Sequence, residues 1–455
     1  MTTTRRPARV RVRMYQVGFG DCILVSVEYD EPDAESRTAR HILFDYGSTR
    51  LPKGSSPLEG VADLIAEHTG GRLDVLVVTH RHKDHLSGLG IQTSRDVMMG
   101  LSPRLVLRPW TEDPELATDA TSPAELAGLT SAQRFATALR QTQESAGRIH
   151  AAARESRGHL AELAAAAAEQ MPNTEAVTAL NTMSEHGRGQ YLHAGKQIDV
   201  HAIVPGMQIT VLGPPTVDQA PGVGKQASRD PEYWMLRLQR ALASAEVHAL
   251  EATARDASSP AEVDAAVEET TGVHGRRRTA EVPPGPTQWL VDHLQAQRTQ
   301  SVTRLVRAFD DALNNTSLVM LLEVGELSML FPGDAQIENW RYTLDRLSAD
   351  PALAAKLANI DLYKVGHHGS RNATPRTLVK LWEQRSPGTP RMAALMSTLS
   401  GTHGKTPATR VPRETLVNAL NEVSDLHTSD GLPAGQRFIE LVAETSGGPF
   451  RPVHG

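Results

Sequence analysis

Residues 75–90 read VLVVTHRHKDHLSGLG, and this stretch decides the fold. The apolar run at 75–78 reads as a short buried strand. Directly after it come His80, His82, Asp84 and His85, all within six residues. Imidazole and carboxylate are the ligand types that suit zinc and related divalent ions. His80 and His82 are two apart, so an extended backbone puts them on the same side. Asp84 and His85 follow at the turn, where they reach a second point nearby. The arrangement points to two metals about 3.5–4 Å apart, the geometry of two-metal hydrolysis. Ser87, Gly88 and Gly90 mark the turn that follows.

Upstream, residues 10–27 hold a strand, a turn at Gly18 and Gly20, and a second strand. Residues 41–44 are another strand, ending in Asp45, Gly47 and Ser48. Leu58, Val61, Leu64 and Ile65 share one face of a helix over 57–68. Downstream, 105–108 is a short strand. The pattern then changes. Residues 122–170 are rich in Ala, Glu, Gln and Arg and predict one or two long helices, broken at Met171-Pro172-Asn173. Further helices are predicted over 230–255, where Asp230 caps and Pro231 takes the first position, and over 287–313. Strand signals at 198–203 and 207–212 lie between these blocks. The stretches 111–189 and 217–313 therefore read as helical insertions into one continuing β framework.

The last third returns to strands. Residues 317–323 and 327–331 form a hairpin around Gly325 and end in Pro332-Gly333-Asp334. A helix over 335–347 follows, then strands at 362–365 and 393–397, a helix over 412–426 and a strand at 437–442.

The chain has 455 residues and a formal net charge of −6, so no strongly basic surface advertises nucleic acid. Cys22 is the only cysteine, which excludes an intrachain disulfide and favours a reducing compartment. The first residues lack the apolar core of a secretory signal, and no apolar run is long enough to span a bilayer. A cytoplasmic protein is expected. The basic triplet Arg276, Arg277 and Arg278 and the mixed Arg/Glu pattern of 134–162 read first as solvated charge.

Two further strings carry chemistry. Asp334 ends an apolar strand in LFPGDA. It fits either a helix N-cap or a carboxylate that bridges two metals. His367 and His368 stand between glycines in KVGHHGS, where core packing offers no reason for two imidazoles. The glycines let the backbone approach a ligand closely.

The pattern HxHxDH resembles the metallo-β-lactamase fold superfamily. QVGFGDC, NNTSLV, FPGDA and KVGHHGS, in that order, resemble its subgroup containing the ComEC hydrolase domain and the phosphorylcholine esterases. The resemblance covers about residues 10–100 and 190–445. It implies an α/β fold of four αββα layers over 1–455, with the insertions as a cap or side lobe beside the metal cleft. It implies two divalent metal ions, Zn²⁺ first and Mn²⁺ second, held by His80, His82, Asp84, His85, Asp334 and His403. His403 and His368 compete for the last ligand position. Asp21 and Asp45 would brace the ligand loops. Many superfamily members carry a histidine where this chain has Asn314 and Asn315, which leaves the first site one imidazole short. Di-iron relatives use a glutamate in place of His82, so a hydrolytic pair is expected rather than a redox one.

The expected activity is metal-assisted hydrolysis. Asp84 would serve as ligand and water-orienting base, His368 and His367 as catalytic groups, and Ser370 and Asn315 as substrate contacts. A phosphodiester is the first choice of bond, in a nucleic acid or nucleotide-type substrate. A carboxyl-ester, lactone or thioester hydrolase would use the same metals. A partner-binding module with a regulatory metal site is the alternative from another class, with the insertions mediating a homodimer or a protein partner.

Overall fold

The run at 75–78 lies near the middle of a sheet, and its composition follows from that place. In the computed structural model Val75–Val77 is strand β4. Val75 and Val77 enter one core cluster with Phe44 and Phe331, whereas Leu76 and Val78 enter another with Leu58, Ile65 and Leu180. A strand covered on both faces needs apolar side chains at every position. The structure describes residues 5–113, 173–216, 219–220, 314–370, 374–385, 388–402, 410–433 and 435–453, all within one unit of the chain. The helices expected over 122–170, 230–255 and 287–313, the arginine triplet 276–278 and His403 lie outside the described residues.

The fold is mixed α/β, with two multi-stranded sheets. The larger contains β1 (Pro7–Tyr15), β2 (Ile23–Tyr29), β3 (Ala39–Phe44), β4, β5 (Leu105–Pro109), β6 (Arg188–Leu192), β13 (Phe438–Glu444) and β14 (Arg451–Pro452). Their order is β14-β13-β1-β2-β3-β4-β5-β6. The smaller contains β7 (Met207–Gly213), β8 (Val319–Val324), β9 (Leu327–Phe331), β10 (Leu362–Lys364), β11 (Met392–Met396) and β12 (Ser424–Thr428), in the order β12-β11-β10-β9-β8-β7. β3 to β6 run parallel, as do β9 to β12, and the other neighbours are antiparallel.

Eight α-helices are described: α1 (Leu58–Thr69), α2 (Lys83–Leu86), α3 (Gln92–Gly100), α4 (Thr174–His186), α5 (Ile337–Arg346), α6 (Pro351–Ala358), α7 (Arg376–Glu383) and α8 (Glu414–Val423). One apolar cluster joins residues of both sheets, with Phe44 and Phe331 stacked at 4.3 Å between ring centroids. A second joins the larger sheet to α1–α4, and a third joins the smaller sheet to α5–α8. Where β1 leaves that cover, Arg9, Arg11 and Arg13 pair with Glu28, Glu440 and Glu444 instead. No helix among the described residues is long and apolar enough to cross a membrane.

Three local readings change. Residues 198–203 form turns instead of a strand: Val204 and Ile203 hydrogen-bond back to Val200, and all three drop into the core. The helix expected over 412–426 ends at Val423, and Ser424–Thr428 becomes an edge strand beside β11. The end of the stretch 111–189 is helix α4 and part of strand β6, which pairs with β5.

Candidate metal centre

The described aspartates and histidines of the site lie in segments that follow strand ends, with Asp84 and His85 on the short helix α2. Asp21 lies in the turn between β1 and β2. Asp45 follows β3, His80 to His85 follow β4, Asp334 follows β9, and His367 and His368 follow β10. The carboxyl ends of parallel strands are where open α/β sheets commonly place ligands. Three loops interlock through their backbones: Asp21 N–H donates to the Asp84 carbonyl at 2.9 Å, and Tyr46 N–H to that of His85 at 2.7 Å. The contact requires glycine. A β-carbon on Gly20 would stand 2.2 Å from the Gly47 carbonyl oxygen, and one on Gly47 would stand 2.5 Å from the Leu86 nitrogen.

Asp84, His85, Asp334 and His368 converge, with one ligand atom from each within 4.8 Å of the others. His85 Nε2 is 3.2 Å from Asp334 Oδ2, and His368 Nε2 is 2.9 Å from Asp84 Oδ2. Each imidazole is aimed by its other nitrogen. His85 Nδ1 meets Asp45 Oδ2 at 2.9 Å, and Asp45 is itself held by the Thr79 N–H and hydroxyl at 2.7 and 2.8 Å. His368 Nδ1 meets the Ser397 carbonyl at 3.0 Å. With Nδ1 engaged in each ring, both Nε2 atoms face the same point, where a metal would take the place of the protons they share with Asp84 and Asp334. His85, His368 and Asp334 are fully buried, while Asp84 keeps 15 % of its side chain exposed, so solvent reaches the cluster from its side.

The turn after β10 is strained to achieve this. His367 and His368 have φ of 45° and 52°, in the left-handed region that costs a non-glycine residue about 1 kcal/mol or more. The strain brings the His367 N–H to Asp334 Oδ1 at 2.9 Å and turns the His368 ring inward. Asp334 is not an N-cap, since α5 starts three residues later behind Gln336.

His80 and His82 stand beside this group rather than in it. His80 Nε2 and His82 Nδ1 are hydrogen-bonded at 2.9 Å, and the His80 ring lies 4.1 Å from the His85 ring. Asp21, Asp45 and His85 form a second close group. Asn315 is buried and its amide is taken up by Glu338 at 3.1 Å, whereas Asn314 Nδ2 lies 3.5 Å from His367 Nε2. Among the described residues the Ser370 hydroxyl has no hydrogen-bond partner.

Lys364 was not among the candidates, although it stands in the quoted string KVGHHGS. Its side chain is buried, it contacts Asp21, and its Nζ is 3.7 Å from Asp334 Oδ1. The signal was an ammonium between Tyr363 and Val365 in an otherwise apolar strand.

The electrostatics follow from burial set against mutual charge. Burial opposes protonation of His85, but Asp334, Asp45 and Asp84 outweigh it and hold the imidazole well above its usual range. His368 is raised against burial by Asp334 and Asp84. Burial works against ionisation of Asp84 and Asp334 too, yet His85 and His368 hold both below the usual carboxylate range. His80 is driven well below its ordinary value by burial and by His85 and His82. The centre thus attracts positive charge at the point where two carboxylates and two imidazoles converge. That donor set could hold a metal ion.

No protein-family model matches this chain, and no curated protein is similar to it.

Proposed function

We propose that the protein is a metal-dependent hydrolase of the metallo-β-lactamase superfamily, ComEC-like in its motifs, that cleaves phosphodiester bonds. The three apolar clusters support a four-layer αββα arrangement for its core. The observation that carries the reading is the convergence of Asp84, His85, Asp334 and His368 from three separated segments of chain. These four would hold one divalent ion, and His80 and His82 beside them would serve a second, with His403 as a further ligand. Metal bound there supplies Lewis acidity and lowers the pKa of a water toward neutrality.

The chain's own residues divide the remaining work. Asp84, the exposed member, is both ligand and the base that orients the attacking water. Asp45 and the Ser397 carbonyl fix the tautomers of His85 and His368. His367 braces Asp334 through its N–H, while its ring and the Ser370 hydroxyl receive the substrate's oxygens. Asn314 joins this edge through His367. A cytoplasmic location accompanies the reading, supported by the single, buried Cys22.

Elemental analysis of the purified protein, paired with turnover assays under added zinc or manganese, tests it. The substrates are bis-p-nitrophenyl phosphate, single- and double-stranded DNA, and a lactone. Bound metal and phosphodiester turnover are expected. Absence of both overturns the hydrolase, and turnover of the lactone alone overturns the phosphodiesterase.

A further inference from the structure

Among the described residues Lys364 is the only fully buried lysine. Its ammonium touches Asp21 and lies 3.7 Å from Asp334 Oδ1. Asp334 does not need it for orientation. The same Oδ1 accepts the His367 N–H at 2.9 Å, and the Asp334 N–H is held by Ser317 Oγ at 3.3 Å. What Lys364 adds is therefore a fixed positive charge. Its place is specific: Asp334 Oδ1 faces the lysine, whereas Oδ2 faces His85 and His368 at 3.2 and 3.7 Å. The ammonium and any ion bound by the four-residue group thus share one carboxylate from opposite sides.

We propose that Lys364 sets the charge of the metal centre. It offsets Asp21 and Asp334, and so limits how tightly the group of Asp84, His85, Asp334 and His368 holds a divalent ion. The inference rests on the metal-centre reading above. Two cations on one carboxylate repel each other through a site with little water to screen them, so the lysine weakens the hold. A lysine serving only as a packed ion pair would change the stability of the metal-free and metal-loaded protein alike.

The test is zinc affinity of the full chain, read by competition with a chromophoric chelator. Lys364→Met is expected to bind zinc roughly tenfold more tightly or better, the scale set by one unit charge a few ångströms away. Lys364→Arg keeps the charge and should stay within about threefold of the parent on the same scale. Lys364→Met leaves Asp21 buried and unopposed, so the effect is also read between Asp21→Asn and Asp21→Asn/Lys364→Met. The double variant should again bind more tightly, by a similar factor. Metal-induced gain in melting temperature should rise in parallel, because it scales with affinity. Equal affinity with and without the lysine charge in both pairs, or weaker binding without it, overturns the proposal. A parent protein that binds neither zinc nor manganese overturns the metal centre itself.

Discussion

β3 and β4 carry a buried carboxylate cluster at each end, and the two clusters are built differently. At the entry to β4, Asp74 is completely buried. One of its oxygens accepts from Arg37 at 2.8 Å and Arg40 at 3.0 Å; the other accepts from Arg37 at 2.6 Å and the His41 N–H at 2.9 Å. Asp33 closes the network on Arg40 at 2.6 Å. At the far end Asp21, Asp45, Asp84 and Asp334 face imidazoles and a single ammonium. Guanidinium is always charged and offers a planar fork, so the first cluster is complete as it stands. Imidazole offers a lone pair as readily as a proton, so the second has donors to give to a cation. A buried carboxylate cluster saturated by arginine holds a fold together. One matched to histidine could hold a metal ion.

The largest effect expected from this contrast is at the second end. Asp334→Asn should abolish metal retention and lower turnover by more than the 10–100-fold typical of groups one step removed from a metal. Asp45→Asn, which releases His85, should fall within that 10–100-fold range in metal affinity. The metal-free fold of both variants should lose less stability than that of Asp74→Asn, since an imidazole left without its carboxylate can give up its proton and a guanidinium cannot. Metal content and urea unfolding of the stripped protein check this. A stripped Asp334→Asn protein that unfolds as easily as the next variant would erase the contrast.

Asp74→Asn should do the reverse. Removing one partner of a buried ion pair leaves uncompensated guanidinium and costs about 3–5 kcal/mol. Metal bound per folded chain should not change. Loss of metal at full stability would show the two ends to be coupled.

The smallest effect sharpens the first end by pH. Burial holds the imidazole of His41, hydrogen-bonded to Ser26 at 2.9 Å, down at about 4. The unfolded chain takes up that proton near pH 6.5, so the contribution is fully present above 6.5 and is lost as pH falls toward 4. The slope is at most about 1.4 kcal/mol per pH unit. His41→Gln should flatten unfolding free energy by that amount between pH 6.5 and 4, measured on metal-stripped protein. An unchanged slope would remove His41 from the account.

Legibility followed the range of the interactions. β4, β8 and β9 were readable because burial on both faces, or a tight hairpin at Gly325, writes itself into adjacent residues. β12 was not, since Ser424–Thr428 (SDLHT) lies at a sheet edge and carries little apolar pattern. Residues 198–203 misled for the opposite reason: apolar side chains fill a core from turns as well as from strands. Asn315 looked available for substrate, but its amide goes to Glu338 on α5, a partner that no local pattern reveals.

By itself the sequence determined which groups could bind a metal, because ligand chemistry and the two-residue spacing of His80 and His82 are local properties. It also placed Asp84 and His85 at the turn after a strand, where the structure has the short helix α2. Only the tertiary structure decided which of these groups meet. Asp84 and His368 are 284 residues apart in the chain and 2.9 Å apart in space. The offered nitrogen of each histidine depends on Asp45 and the Ser397 carbonyl, and the facing oxygen of Asp334 on the His367 N–H. Those choices belong to hydrogen bonds between distant segments, which exist only once the sheets have closed.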